Sequence, residues 1–322
     1  MNGPSFRRLM LASAGAIVSL NVAPAFAGPI TLGGNYVEIG VSDYGTIGSD
    51  GSTSPGMLFD PTGTKSYGNN DFLTPGNPSE GFGFTSTQTG FLSNNNDESA
   101  SSFGTAAPTL TTVPGYSLAA TWTGSSGGVT VTNTEFFNAA SEQVNIVTTL
   151  TNTTGSALTS VAFDRSLDPD PDFNTYGDYE TLNSLGATNL GADGNSAACG
   201  SGANTDETVC LVTANGGITH YADIDSTCCY VENPSYFLGY GSKIIGSSDA
   251  DDSIDLTWNI GTIAAGATVT LNYAYDFGST LATVGGGTPT PSAPELDPTS
   301  ALSAITLLLG GIVTLRGRKA LR

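Results

Sequence analysis

Apolar residues recur at every second position in several stretches of this 322-residue chain, and Gly-, Asn- or Thr-rich turns separate these stretches. A period of two places one set of side chains on one face of an extended strand, so each stretch predicts a half-buried β-strand. The clearest pair covers residues 254–260 and 267–277, which we interpret as a hairpin around the Gly-rich turn at 261–266.

Three other regions follow the same pattern. Residues 144–150 and 158–163 predict a second hairpin, residues 117–122 and 129–137 predict a third, and residues 37–41 predict a first strand. Many short strands between turns predict an all-β fold, a large antiparallel β-sandwich with long polar loops. One sandwich is the favoured arrangement, and two immunoglobulin-like units are the alternative.

Long polar segments separate the predicted strands, and loops of such length in a compact domain are usually functional or mobile. These segments are residues 45–56, 69–80, 94–102 and 191–208. We assign residues 28–284 to the β-sandwich body. The Gly/Thr/Pro-rich run at 285–293 predicts a linker.

The N-terminus has the three parts of a secretory signal peptide. Arg7 and Arg8 form a basic start, residues 9–22 are apolar, and Ala25 and Ala27 provide the small-x-small pattern before the cleavage site. Residues 1–27 are therefore predicted to direct export and to be removed.

The C-terminus carries a second three-part pattern. It consists of the motif Pro294, Glu295, Leu296, Asp297, Pro298, then an apolar stretch at 301–315, then a basic tail at 316–322. The apolar stretch predicts a single transmembrane helix, which is short for a full span but can be extended by its flanks. The basic tail would stay on the cytoplasmic side and leave the body outside.

Together, the motif, the apolar helix and the basic end resemble the PEP-CTERM sorting signal. The resemblance covers only residues 294–322, and Leu296 stands where the commonest form has its second proline. It implies processing by an exosortase-like membrane enzyme and an address at the cell envelope, at the cell surface, or outside the cell after processing. It also implies association with exopolysaccharide. An ordinary C-terminal membrane anchor is the alternative.

The charge of the body is strongly negative. The whole chain has 29 Asp and Glu against 9 Lys and Arg. In residues 28–293, the three basic residues Lys65, Arg165 and Lys243 face 27 acidic ones, which leaves a net charge of −24. Such a field repels phosphate backbones and excludes nucleic acid as a partner. It suits divalent cations, basic partners or simple solubility.

All four cysteines lie in the exported body, where an oxidising environment favours disulfides. They are Cys199, Cys210, Cys228 and Cys229. A local bridge between Cys199 and Cys210 is one pairing, which leaves the adjacent pair to form a vicinal bridge or stay reduced. Pairing each of Cys199 and Cys210 with one of Cys228 and Cys229 is equally allowed. His220 is the single histidine, and no CxxC spacing supports a zinc site.

An Asp-rich run provides the strongest candidate for a metal site, because calcium prefers six to eight hard oxygen ligands. The candidate ligands are Asp168, Asp170, Asp172, Asn174, Asp178 and Glu180. The run departs from an EF-hand, since Phe173 occupies its sixth position and Glu180 its thirteenth. A solvated acidic turn is the alternative, and Arg165 is a candidate to neutralise Asp164 or a member of the run.

A second acidic group lies just before the predicted strand at 254–260. Its members are Asp249, Asp251, Asp252 and Asp255. A solvated turn is the simpler interpretation of this group. The two acidic groups would meet if their strands end at the same pole of the sandwich.

Signatures of catalysis are nearly absent. Residues 124–128 match the letters of G-x-S-x-G, but they lie at a predicted hairpin turn, whereas a nucleophile elbow needs a strand-to-helix turn. We therefore expect a non-catalytic structural or adhesion protein of the envelope or exopolysaccharide matrix, with calcium as its one expected cofactor. The alternative is a carbohydrate-binding or carbohydrate-active supersandwich domain. Candidate sugar-stacking residues are Tyr176, Tyr179, Tyr230 and Tyr236.

Overall fold

The computed structural model describes residues 28–284 except for 50–52, 70, 74–78, 97–99, 188–189, 214–216, 227, 229–230 and 241–246. The predicted signal peptide, linker and PEP-CTERM-like segment lie outside the described residues. Within the part that is described, no helix is long and apolar enough to cross a membrane.

Antiparallel strands make up most of the described chain, together with two short helices. The strands are β1 Ile30–Gly33, β2 Val37–Val41, β3 Met57–Phe59, β4 Glu80–Ser86, β5 Gly90–Asn95, β6 Thr109–Leu110, β7 Leu118–Ser126, β8 Val129–Phe137, β9 Gln143–Asn152, β10 Leu158–Leu167, β11 Thr181–Leu185, β12 Ala197–Gly202, β13 Thr208–Thr213, β14 Thr219–Asp225, β15 Ser247–Ala250, β16 Ser253–Ile263 and β17 Thr268–Gly278. The helices are α1 Phe173–Tyr176 and α2 Pro234–Tyr240.

In the described residues these strands form three sheets. The largest has the order β15-β11-β12-β13-β17-β9-β8-β7-β6, the second β14-β16-β10-β4-β5, and the smallest β1-β2-β3. Inner side chains of the two larger sheets pack together in one hydrophobic cluster that runs from Leu32 to Phe277. Across the core, the rings of Trp258 on β16 and Tyr273 on β17 lie 5.1 Å apart. The predicted all-β sandwich is therefore confirmed.

Two predicted hairpins are wrong. β16 pairs with β10 and β14, whereas β17 pairs with β9 and β13, so these consecutive strands belong to opposite sheets. The consecutive strands β9 and β10 also belong to opposite sheets, since β9 pairs with β8 and β10 pairs with β4. Alternation predicts that a strand has one buried face. It cannot distinguish two strands lying side by side from two strands that face each other across the core.

The third hairpin and the first strand are confirmed. β7 pairs with β8 over its whole length, and Gly127 and Gly128 turn the chain with φ of 56° and 81°. The letters of G-x-S-x-G therefore lie in a β-hairpin and not in a strand-to-helix elbow. In β2 the side chains of Val37, Ile39 and Val41 are fully buried.

The predicted polar loop at 191–208 contains a strand that the sequence pattern missed. β12 is buried along its whole length and consists of small residues. A Cβ at Gly200 would lie 2.7 Å from Cγ of Pro169, so the neighbouring loop needs that glycine. Small residues with no apolar alternation look like a loop in sequence, yet here they permit close packing.

The disulfide arrangement follows from the same strands. Cys199 on β12 lies opposite Cys210 on β13, and the two form a disulfide. The local pairing is therefore confirmed for these two residues, and their pairing with the adjacent cysteines does not occur. Cys228 is also disulfide-bonded.

Candidate functional site

Six carboxylate side chains gather where β10 ends and β16 begins, and we call this group the acidic pole. Its members are Asp168, Asp170, Asp178, Glu180, Asp251 and Asp252. The antiparallel register explains the meeting, because Leu167 at the end of β10 lies opposite Ile254 near the start of β16. The two acidic groups of the sequence therefore meet: Asp168, Asp170 and Glu180 of the first lie near Asp251 and Asp252 of the second.

Asp168 and Asp170 are buried at the centre of this group, with exposed fractions of 2% and 3%. Their backbone N–H groups donate to the carbonyls of Ser79 and Phe72, each at 2.8 Å. A carboxylate oxygen of Asp168, one of Asp251 and the sulfur of Cys228 lie within 4.8 Å of one another. Because Cys228 is disulfide-bonded, its sulfur cannot act as a thiolate ligand, and the carboxylates are the available donors.

The electrostatics of the pole disfavour several bare negative charges. Burial, followed by the charges of Asp251 and Asp252, raises the pKa of Asp168 to about 8. Burial and the charges of Asp168, Asp251 and Asp178 raise the pKa of Asp170 to about 9. Oδ1 of Asp170 is buried and has no hydrogen-bond partner among the described residues. A hard divalent cation would neutralise such oxygens and complete their coordination.

The structure divides the six ligands expected from the Asp-rich run. Asp172 accepts hydrogen bonds from the Thr205 hydroxyl and the Asn204 backbone N–H, both at 2.6 Å, and so anchors the β12–β13 turn. Asp178 accepts a hydrogen bond from the Asn204 side chain at 2.9 Å, and Asn174 lies in α1. Asp168 and Asp170 therefore share a candidate site with Asp251 and Asp252, and they do not form a single calcium-binding loop with Asp172.

Arg165 does not neutralise the Asp-rich run, which corrects the sequence-based expectation. Its side chain is fully buried inside the sandwich and forms an ion pair with Glu80. Neighbouring residues of a strand point to opposite faces, so Arg165 and Asp164 lie on opposite sides of β10. Glu80 also accepts hydrogen bonds from the Ile47 N–H at 2.6 Å and the Tyr275 hydroxyl at 2.8 Å.

A further buried carboxyl accompanies this ion pair. Burial, opposed by Arg165 and reinforced by Glu80, raises the pKa of Glu135 to about 8. Neither carboxylate oxygen of Glu135 has a hydrogen-bond partner among the described residues. No sequence motif marks this interior group, because Glu80 and Glu135 are distant in sequence from Arg165. Since Arg165, Glu80 and Glu135 are all fully buried, they form an enclosed structural cluster and not an open site.

The single histidine does not form a Ser-His-Asp triad among the described residues. Nδ1 of His220 donates to the Ile218 carbonyl at 2.8 Å, and Nε2 lies 3.2 Å from the Ser196 hydroxyl. In a Ser-His-Asp triad a carboxylate orients the ring through Nδ1, whereas here a backbone carbonyl holds that nitrogen.

An open groove of about 670 Å³ lies over the β15-β11-β12 edge of the large sheet. Its lining mixes hydroxyl and carboxylate groups with two exposed leucines. Lining residues include Leu182, Ser184, Ser201, Asp206, Asp249 and Leu281. The exposed Tyr176 and Tyr179 lie on the segment that leads into β11, whereas Tyr236 lies on α2 and Tyr230 is outside the described residues.

No protein-family model matches this chain, and no curated protein matches it. Among solved structures, a putative aldose 1-epimerase from Escherichia coli K12 is similar at 12% identity and a TM-score of 0.40, over 77% of this chain and 98% of that one. A bacterial glucoamylase complexed with acarbose has 12% identity and a TM-score of 0.46, over 79% of this chain and 32% of that one.

A galactose mutarotase-like protein from Lactobacillus casei has 10% identity and a TM-score of 0.38, over 78% of this chain and all of that one. These three proteins carry sugar-related names. At such identities and TM-scores they do not assign an activity to this chain.

Proposed function

We propose that this protein is an exported, non-catalytic domain of the cell envelope or exopolysaccharide matrix, and that calcium bound at the acidic pole stiffens it. The observation that carries the calcium proposal is the buried Oδ1 of Asp170, which has no hydrogen-bond partner among the described residues and lies beside Asp168 and Asp251. Export and surface sorting by an exosortase-like enzyme rest on the terminal patterns of the sequence.

The chemistry of the donors favours calcium over softer metals. Zinc prefers sulfur and imidazole ligands, but the nearby sulfur belongs to a disulfide and His220 is held by a backbone carbonyl and Ser196. The carboxylates of the pole come from two separate segments, 168–180 and 249–252. Calcium accepts mono- and bidentate carboxylates in irregular geometry, so it suits such a set.

Calcium binding provides the direct test of this proposal. We expect isothermal titration of the oxidised protein, stripped with chelator, to detect calcium binding that Asp170→Asn weakens at least tenfold, because the substitution removes a charged ligand. Asp193→Asn is the matched control, since Asp193 is exposed and lies outside the pole. Equal calcium affinity in the wild type and Asp170→Asn would place the ion elsewhere, and no binding would remove calcium from the proposal.

A second candidate function is carbohydrate binding in the groove over β11, β12 and β15. The specific observation is the combination of hydroxyl and carboxylate groups with exposed apolar side chains in one open groove of about 670 Å³. Sugar hydroxyls can form hydrogen bonds with the hydroxyl and carboxylate groups, and the C–H faces of sugar rings can pack on the apolar side chains. The net charge of −24 for residues 28–293 favours neutral polysaccharides over acidic ones.

Affinity electrophoresis in gels that contain neutral polysaccharides tests this candidate. We expect Leu182→Arg to abolish retardation, because it places a long charged side chain in the groove. Leu110→Arg is the matched control, since Leu110 is 71% exposed and lies on β6 at the opposite edge of the sheet. Equal retardation of the two variants would exclude the groove, and release of new reducing ends would contradict the non-catalytic assignment.

A further inference from the structure

A second group of carboxylates lies away from the acidic pole, on the outer face of the five-stranded sheet. We call it the outer carboxylate cluster, and its members are Asp164, Asp223, Asp225 and Asp255. These residues come from β10, β14 and β16, which are neighbours in the sheet. Asp255 on β16 lies opposite Ser166 on one side and Asp223 on the other, so the register brings the cluster together.

The cluster is covered by the chain that leads into α2. A Cβ at Gly81 would lie 2.6 Å from Cγ2 of Val231, and one at Gly83 would lie 3.0 Å from the Glu232 carbonyl oxygen. Gly81 and Gly83 are the β4 partners of Ser166 and Asp164. The covering segment therefore lies directly over this part of the sheet, and Asp164 and Asp255 retain no more than 1% of their surface.

Two buried oxygens in the cluster lack a donor. Oδ1 of Asp164 accepts a hydrogen bond from the Thr257 hydroxyl at 2.6 Å. Oδ2 of Asp164 and Oδ2 of Asp255 have no conventional donor among the described residues, although the two carboxyl groups are close enough to interact directly. Two carboxylate oxygens are both acceptors, and a water that donates to both would leave their negative charges buried, so a proton or a cation between them is needed to neutralise the pair.

Neither basic side chain of the described body provides that cation. Arg165 lies on the opposite face of β10 and pairs with Glu80, and exposed Lys65 interacts with Glu38 in the smallest sheet. A single proton would neutralise one charge and leave the field of the neighbouring carboxylates in place. A divalent ion neutralises two charges and accepts further oxygens from the hydroxyls of Ser166 and Thr257.

We propose that the outer carboxylate cluster is a second, buried site for a hard divalent cation of the calcium class, held by Asp164 and Asp255. This site is separate from the acidic pole, and its existence does not depend on calcium binding at the pole. A cation here would tie β10 to β16 beneath α2.

The test uses calcium alone and measures stoichiometry in the oxidised protein after removal of bound metal with chelator. In the Asp170→Asn variant, which weakens the pole, we expect one calcium site to remain. Adding Asp255→Asn should abolish that site, whereas adding Asp193→Asn, a matched loss of one exposed charge, should leave it intact. Near-UV circular dichroism confirms that each variant is folded, and Asp164→Asn provides a second variant if Asp255→Asn does not fold.

The outcomes separate the two sites. If Asp170→Asn leaves calcium binding unchanged but Asp255→Asn abolishes it, the pole proposal fails and the buried site stands. If Asp170→Asn abolishes all calcium binding, or if the residual site survives both Asp255→Asn and Asp164→Asn, the buried site is refuted. Asp164 and Asp255 then share a proton.

Discussion

Raising the pH from 5 to 9 in excess chelator should lower the free energy of unfolding by on the order of 4 kcal/mol. Asp168 and Asp170 have pKa values of about 8 and 9 in the folded chain, against an ordinary value of 3.8. A carboxyl with a raised pKa binds its proton more tightly in the folded state. Its contribution to stability is therefore complete below the ordinary pKa and is lost as the pH rises through the folded pKa.

Glu135 adds to the same trend, since its pKa of about 8 is also raised by burial. Because Asp168 and Asp170 repel each other, their contributions do not simply add, and a single buried carboxyl of this kind already accounts for the expected change. Millimolar calcium should reduce the loss above pH 7, because a bound cation stabilises the charged carboxylates in the folded state only.

Urea unfolding at pH 5, 7 and 9, with chelator and with calcium, measures this dependence. Asp170→Asn should make the pH profile in chelator less steep without abolishing it, because Asp168 and Glu135 still titrate, whereas Asp193→Asn should leave the profile unchanged. A chelated protein whose stability is flat, or highest near pH 8, would show that Asp168 and Asp170 are already neutralised in the folded chain by another group.

Replacing Arg165 by methionine should lower the free energy of unfolding by about 3–5 kcal/mol, because Glu80 then loses its counter-charge inside the core. Arg165 is fully buried, pairs with Glu80 and lies 5.9 Å from the centre of the Phe82 ring. Removing one partner of a buried pair leaves the other to be neutralised at the expense of stability. Lys65→Met is the control, since Lys65 is exposed.

The double variant Arg165→Met with Glu80→Leu makes the test specific. We expect it to be more stable than Arg165→Met alone, because it removes the stranded carboxylate as well. Urea unfolding of the wild type, Arg165→Met, Glu80→Leu and the double variant at pH 7 gives the coupling free energy. If the double variant is no more stable than Arg165→Met, the cost comes from lost packing of the arginine stem and not from the unpaired charge.

The candidate site was only partly predictable. The Asp-rich run identified Asp168 and Asp170 as candidates because its carboxylates occupy alternate positions after a strand, and the structure places both at the centre of the acidic pole. The division of that run, with Asp172 anchoring the β12–β13 turn and Asp251 joining Asp168, depends on contacts between distant segments. The meeting of Asp164 and Asp255 likewise depends on the pairing of β10 with β16, since each residue alone looks like a solvated residue beside a strand.

The alternation in the sequence correctly predicted the strands β2, β7–β10, β16 and β17, and it identified the buried face of strands such as β2, but it missed β12. The folded chain alone shows that β9 and β10, and likewise β16 and β17, belong to opposite sheets, and that the Arg165 side chain points inward to Glu80. The reason is physical. The two-residue period is a local property of an extended chain, whereas the choice of neighbouring strand and of charge partner depends on packing between residues far apart in sequence.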